Sequence, residues 1–203
     1  MQLLLASSSR YRRQQLAQLG IPFEWASPDI DETPYVDETI DAYVQRLAEQ
    51  KAQVMAAQYP QHWIIGSDQA CSLNGAVVSK PENHDNARQQ LLASAGKTIR
   101  FSTGIALWHQ GKTSSAVEHF DVQFRALSAD EIEDYLRLEQ PYDCAGSFKV
   151  EGLGIHLFEA LHGRDINSLI GLPLIKDLHR PAQPMELHPA LFYLNDSLRS
   201  IQT

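Results

Sequence analysis

The chain of 203 residues has a formal net charge of -8, and 43% of its residues are hydrophobic. A chain of this length and composition is typical of one globular domain with a substantial buried core. The negative charge argues against general nucleic-acid binding, and no apolar run is long enough to span a bilayer.

The first residues and the cysteines bear on where the protein works. Residues 1–6 are mostly apolar, but no basic segment precedes them and three serines follow at once. We therefore interpret them as a buried first strand and not as a signal peptide. Cys71 and Cys144 are not spaced as a metal-binding pair, and two isolated thiols are typical of a reducing compartment. These features predict a cytoplasmic protein.

Alternating strand and helix patterns run along most of the chain. Strands are predicted at residues 3–6, 63–66, 99–108, 117–127 and 154–161. Helices are predicted at residues 11–19, 42–58, 84–95 and 128–138, and a last one begins at Gly171. Residues 26–40 read mostly as a loop, and 99–108 and 117–127 as neighbouring strands joined across Gly111. The pattern predicts an α/β fold with a mixed sheet.

The first of three polar segments covers residues 5–13. Serine hydroxyls precede a predicted helix there, and arginines occupy its first turn. Backbone N–H groups, hydroxyls and guanidinium groups at a helix start are typical of an anion-binding site. The alternative is a serine cap followed by a solvated basic turn, and this segment alone does not decide between them.

The second and third segments each contain a carboxylate in a turn-like setting. Asp68 follows a predicted buried strand, at the sheet edge where α/β proteins bind ligands, and Lys80 follows soon after. An aspartate there can hold a divalent ion or activate water; the alternative is a turn-forming residue. In residues 144–152, Glu151 stands beside glycine, which indicates either close backbone approach to a ligand or a plain β-bulge.

The three segments, in this order, resemble the Maf family of nucleoside triphosphate pyrophosphatases, and specifically its 7-methyl-GTP branch. The resemblance extends from Leu3 to about Ile175. The matching positions are residues 5–12, Asp31-Glu32, Lys51, Asp68, residues 79–81, residues 145–152 and residues 171–173. Two residues depart from the pattern, because Arg10 replaces a proline and Ser79 replaces a glycine.

The branch assignment depends on a few positions. Gln69 follows Asp68 where other branches usually have threonine. The late motif has Ser147-Phe148-Lys149 with Glu151, where the other branches have tyrosine and glutamine. Tyr11 stands where the pyrimidine-preferring branch has arginine. N7-methylation gives guanine a positive charge, and an aromatic face attracts a cation by roughly 0.5–2 kcal/mol.

The resemblance implies one elongated α/β domain at residues 1–180, with a central mixed sheet, two lobes and a nucleotide cleft between them (a Maf/ITPase-like fold). Residues 181–203 form a tail of unknown role. Asp68 is implied as general base or metal-linked water activator, and Glu32 and Asp68 as ligands of Mg²⁺ or Mn²⁺. The implied phosphate ligands are Ser7, Ser9, Arg12, Lys51 and Lys80, and the implied base ligands are Tyr11, Gln69 and Glu151.

The implied reaction cleaves the α–β phosphoanhydride bond of a small-molecule nucleotide, with no nucleic-acid or membrane partner. A homodimer is compatible with the family. Three alternatives stay open: dTTP or UTP as the substrate, a non-catalytic nucleotide-sensing regulator of cell division, and an inactive relative.

Overall fold

The computed structural model describes residues 2–174. Over this range the strands are β1 (Leu3–Ala6), β2 (Glu24–Ala26), β3 (Trp63–Leu73), β4 (Ala76–Val78), β5 (Thr98–His109), β6 (Lys112–Phe124) and β7 (Phe158–Gly163). The α-helices are α1 (Arg10–Ala17), α2 (Ile40–Ala56), α3 (His84–Ser94), α4 (Ala129–Glu139) and α5 (Ile166–Ile170). None of these helices is both long and apolar enough to cross a membrane.

Capping residues precede the helices, and residues with positive φ form the turn between β5 and β6. Each α-helix follows a residue whose side chain accepts a hydrogen bond from a backbone N–H of the first turn: Ser9, Thr39, Asn83, Ser128 and Asp165. The predicted capping box of Ser128 and Glu131 is present. Gln110 and Gly111 both have positive φ and join β5 to β6 in the predicted hairpin.

The seven strands form one mixed sheet in the order β2-β1-β3-β5-β6-β7, with β4 paired to β3. β1 pairs in parallel with β2 and β3, whereas the other pairs are antiparallel. The sheet and its helices confirm the predicted α/β class with a central mixed sheet.

Helix α2 packs closely on the centre of the sheet. A Cβ on Gly66 of β3 would overlap the backbone of Ala48, and one on Gly104 of β5 would overlap that of Val44. The two glycines therefore let the backbone of α2 approach two neighbouring strands. This close packing sets α2 directly against β3 and β5.

The core has separate clusters along the long strands. One lies under α2 and contains Leu4, Ile64 and Met55. A second, which includes Leu5 and Leu16, lies on the other face, because successive residues of a strand point to opposite faces. A third cluster packs the far part of β3, β5 and β6 against α3 and α4, and it includes the predicted face of Phe120, Val122 and Phe124.

Three predicted elements need correction. Strand β3 does not stop at Gly66; it continues to Leu73, because β5 pairs with it along its whole length. Residues 153–157 form a 3₁₀ helix, so the strand predicted at 154–161 is only its later part, in β7. The helix predicted to begin at Gly171 is wrong for residues 171–174. Instead α5 ends there, at a glycine with φ of 126°. The predicted tail lies outside the described residues.

Candidate active site

A cleft of about 1010 Å³ is lined by α1, β3 and the loop that follows α4. All ten residues predicted as site residues line it: Ser7, Ser9, Tyr11, Arg12, Glu32, Lys51, Asp68, Gln69, Lys80 and Glu151. Segments that are far apart in sequence therefore meet at one place. The individual contacts decide what each of them can do.

Lys51 joins two carboxylates in the cleft. Its Nζ lies 2.6 Å from Asp68 Oδ1 and 2.7 Å from Glu32 Oε1. The side chains of Lys51 and Asp68 are 9% and 12% exposed, whereas that of Glu32 is 55% exposed. Since α2 carries Lys51 and β3 carries Asp68, the close approach of these elements at Gly66 sets the contact between them.

Asp68 can reach the cleft because β1, the strand beside β3, ends before it. The parallel pairing of β1 with β3 ends at Ala6 and Gly66, whereas β3 continues beside β5. The edge of β3 is therefore uncovered by β1 from Ser67 onwards. The prediction that Asp68 follows the end of its own strand is wrong, because Asp68 lies inside β3. Asp68 does lie beyond the carboxyl end of the neighbouring strand β1.

Glu32 and Asp68 form a suitable pair of ligands for a hard divalent cation. Both carboxylates reach the same ammonium group, so their oxygens converge on one small volume. Among residues 2–174 there is no group of three or more His, Cys, Asp and Glu side chains arranged to hold a metal. Mg²⁺ typically takes one or two carboxylates and completes its shell with water and phosphate oxygens, which these two residues fit.

Arg12 lies close to this acidic pair and is anchored from behind. Its Nε donates to the Gly171 carbonyl at 2.8 Å, and Ser9 Oγ accepts from the Arg12 backbone N–H at 3.4 Å. Burial lowers the pKa of Arg12, and the negative charges of Asp68 and Glu32 oppose that shift. Arg12 Nη1 lies 3.5 Å from Ser7 Oγ, and Arg12 lines the cleft.

The serines show the structural role weighed from the sequence, and their geometry leaves the anion-binding role open. Ser9 caps α1, as the structural alternative requires. Ser7 is buried, and its Oγ accepts from the Ser9 backbone N–H at 3.2 Å. Each hydroxyl accepts from a backbone N–H and retains its own O–H as a donor. The cap and an anion site are therefore compatible in this segment.

Tyr11 lies beside a cluster at the side of the cleft. Its hydroxyl accepts from Arg10 Nη2 at 2.7 Å and lies 3.3 Å from Asp143 Oδ2 and 3.7 Å from Cys144 Sγ. Burial raises the pKa of Tyr11 to about 12. The Arg10 guanidinium lies over the tyrosine ring, 4.8 Å from its centroid. One face of the aromatic ring therefore already has a cation.

Gln69 uses its amide N–H groups within the protein. Its Nε2 lies 3.0 Å from Thr103 Oγ1, 2.7 Å from the Ser168 carbonyl and 3.1 Å from the Leu169 carbonyl. These contacts orient the side chain from β5 and α5. The group that Gln69 offers a ligand is accordingly Oε1, which can only accept hydrogen bonds.

Glu151 is exposed on a tight loop that is held at its base. The Lys149 carbonyl accepts from the backbone N–H groups of Gly152 and Gly154, at 3.2 and 3.1 Å. Glu139, at the end of α4, accepts from the Leu153 N–H at 2.8 Å. The loop is a turn that leads directly into the 3₁₀ helix at residues 153–157, and not the β-bulge considered from the sequence. Its geometry leaves the Glu151 carboxylate in the cleft.

The sequence comparison identifies the family. The family model described as Maf-like protein matches residues 2–180. The chain belongs to the Maf-like protein family. Membership supports a nucleotide pyrophosphatase in general.

Two solved structures resemble this Maf-like chain distantly. The Ham1 protein of Staphylococcus aureus is 14% identical, with a TM-score of 0.44 over 61% of this chain and 72% of its own. A HAM1 protein from Coxiella burnetii is 16% identical, with a TM-score of 0.41 over 61% of this chain and 73% of its own. The family assignment rests on the sequence match and not on these similarities.

The two departures from the Maf pattern have structural accounts. Arg10 is the first residue of α1, which is a position where proline is favoured and other residues are tolerated. Ser79 does not have positive φ, so the glycine it replaces is not required there for backbone reasons. Lys80, next to it, is exposed and lines the cleft after β4.

Sequence reasoning missed the contacts by which several residues support the Maf-like site; Gly171 belongs to a motif that it matched, but the contact of Gly171 with Arg12 does not follow from that motif. Gly171 fixes Arg12, and Glu139 fixes the loop that carries Glu151. Tyr43 lines the cleft, and its pKa is raised by burial and by the charges of Asp68 and Glu32. Only contacts between distant segments reveal these roles, so no local signal in the sequence identifies them.

Proposed function

We propose that this Maf-like protein hydrolyses 7-methyl-GTP to 7-methyl-GMP and pyrophosphate. The observation that supports turnover best is the contact of Lys51 with the buried Asp68 and the more exposed Glu32, in a cleft that Arg12 also lines. A carboxylate that can take a proton thus lies next to cations that can stabilise phosphate charge. This combination suits cleavage of a phosphoanhydride bond.

In the proposed mechanism, Asp68 accepts a proton from the attacking water. The Lys51 ammonium, 2.6 Å away, holds this carboxylate in place and donates to it. Glu32 and Asp68 would hold Mg²⁺ or Mn²⁺, which when bound polarises phosphate oxygens and neutralises their charge. The Asp68 side chain therefore sets the direction from which water attacks.

The phosphates are assigned to the cationic and hydroxyl groups of the same cleft. Arg12 and Lys80 would bind the triphosphate, together with Lys51 and the hydroxyls of Ser7 and Ser9. In a partly water-excluded cleft, fixed donors stabilise the charge that develops between the α and β phosphates without reorganising. The cations are needed because the chain as a whole is acidic and repels polyanions.

The methylated base is assigned to Tyr11, Gln69 and Glu151. Guanine donates from its N1–H and exocyclic amine, and the Glu151 carboxylate and Gln69 Oε1 are both acceptors. A positively charged base is attracted to the Tyr11 ring and to the Glu151 charge. Because Arg10 lies over one face of the ring, the base would use the other face.

The alternatives differ in measurable ways. A dTTP or UTP pyrophosphatase would not need the charge of Glu151, and a non-catalytic regulator would bind nucleotide without needing Asp68 as a base. An inactive relative would show neither binding nor turnover. The presence of Asp68 beside Lys51 and Arg12, in a cleft that Lys80 also lines, favours an enzyme.

The test is pyrophosphate release from a panel that contains 7-methyl-GTP, GTP, dTTP and UTP, each with Mg²⁺ or Mn²⁺. The proposal expects release with the highest kcat/KM on 7-methyl-GTP. Higher kcat/KM on dTTP or UTP would transfer the assignment to the pyrimidine alternative. Tight nucleotide binding without release would support the regulator.

A further inference from the structure

Arg10, Tyr11 and Asp143 form a small bridge between α1 and the loop after α4. Arg10 Nη2 lies 3.1 Å from Asp143 Oδ2, and the Tyr11 hydroxyl lies within hydrogen-bonding distance of both. Arg10 and Asp143 are 60% and 53% exposed, and all three residues line the cleft. The bridge therefore places one positive and one negative charge beside the Tyr11 ring, which is assigned to the nucleotide base.

The Arg10 charge has no compensating partner at the start of its own helix. It lies in the first turn of α1, which contains no acidic residue, and a cation there opposes the helix dipole. Asp143, from a segment 133 positions away, supplies the nearby negative charge. Each charge is thus largely cancelled by the other where they meet.

We propose that Arg10 and Asp143 together set how strongly the cleft discriminates a cationic base from a neutral one. Asp143 attracts a methylated, positively charged guanine, whereas Arg10 repels it and also covers one face of Tyr11. The inference rests on the proposed function, and it adds two specificity-determining residues to the site. The side-chain hydrogen bonds and ion pairs described for them go to each other, Tyr11 and Cys144, and not to the groups assigned to the phosphates.

The experiment compares 7-methyl-GTP with GTP, which share the same triphosphate and differ in the methyl group and its charge. Arg10→Ala, Asp143→Asn and the double variant are measured beside the wild type. The control is Arg137→Ala, which removes the arginine of an exposed ion pair with Asp134 on α4, at 2.7 Å. The readout is the ratio of kcat/KM for the two nucleotides, because specificity is a difference in transition-state binding.

Arg10→Ala is expected to raise the ratio of 7-methyl-GTP to GTP by about two- to fivefold, as for an exposed charge interaction. Asp143→Asn is expected to lower it by a similar factor, and the double variant to return it near the wild-type value. Arg137→Ala leaves it unchanged. High salt reduces each shift, because exposed charges are screened.

A bridge that only stabilises the fold would lower both activities together and leave the ratio constant. A constant ratio in both single variants of an active enzyme overturns the inference while the proposed function stands. If the wild type releases no pyrophosphate from any nucleotide, the proposed function fails. The same ratio is then taken from the dissociation constants of the two nucleotides by calorimetry. An unchanged ratio there, or no binding at all, overturns the inference as well.

Discussion

Replacing Lys51 with Met tests the centre of the site without any nucleotide. Methionine keeps much of the apolar stem of lysine and removes the ammonium group that lies between Asp68 and Glu32. Two carboxylates are then left facing each other. The 12% exposed Asp68 bears most of the cost, because Glu32 is 55% exposed and can turn towards water.

Breaking a buried ion pair by removing one partner typically costs 3–5 kcal/mol, because the other charge stays buried and unpaired. Here Arg12 lies close enough to Asp68 for the Asp68 carboxylate to oppose the lowering of the Arg12 pKa. Part of the negative charge of Asp68 therefore remains compensated by Arg12. We therefore expect Lys51→Met to lower the free energy of unfolding by about 2–3 kcal/mol.

Urea unfolding at neutral pH measures this loss. The control is Lys112→Met, at an exposed position at the start of β6, where a surface substitution should change stability by less than about 0.5 kcal/mol. Lys51→Met combined with Asp68→Asn removes both charges and should recover most of the stability. Wild-type stability in Lys51→Met, or a double variant less stable than the single one, would refute the reasoning.

Four further predictions concern activity and packing. Asp68→Asn should reduce turnover by about two orders of magnitude or more, as for a lost base, with circular dichroism unchanged; near-normal turnover would remove Asp68 from the mechanism. Lys80→Ala should raise KM for all nucleotides by a similar factor, and a changed nucleotide ranking would contradict its phosphate role. Tyr11→Arg and Glu151→Gln should each lower kcat/KM on 7-methyl-GTP more than on UTP, and an unchanged ratio would remove both from base recognition. Gly66→Ala should destabilise the fold and reduce turnover, because its Cβ would overlap the backbone of α2; wild-type melting and activity would contradict the close approach.

Much of the fold could be predicted because it follows from local patterns. The capping box at Ser128 begins α4, and the turn at Gly111 joins the two longest strands. The end of β3 could not be predicted in this way. Polar residues from Ser67 onwards look like a strand end, yet pairing with β5 keeps the chain extended to Leu73.

Ten residues that line the cleft could be predicted, but their mutual contacts could not. Family motifs bring Lys51, Asp68 and Glu151 to attention, and the structure places all of them in one cleft. The use of the Gln69 amide and the pairing of Arg10 with Asp143 depend on which distant segments become neighbours. Such lateral contacts leave no local pattern in a single sequence.

The position of Lys51 links the two roles assigned to the site, which are metal binding by Asp68 and Glu32 and phosphate binding. Its ammonium contacts the same two carboxylates that are assigned to a divalent cation, and it is also assigned to the phosphates. A metal ion on those carboxylates would repel the ammonium, and the bound phosphates would offer it a new anionic partner. Lys80 has no such contact with Asp68 or Glu32 in the described structure. Loss of Lys80 should therefore weaken phosphate binding alone. Loss of Lys51 should alter both phosphate binding and the surroundings of Asp68, the residue assigned as general base.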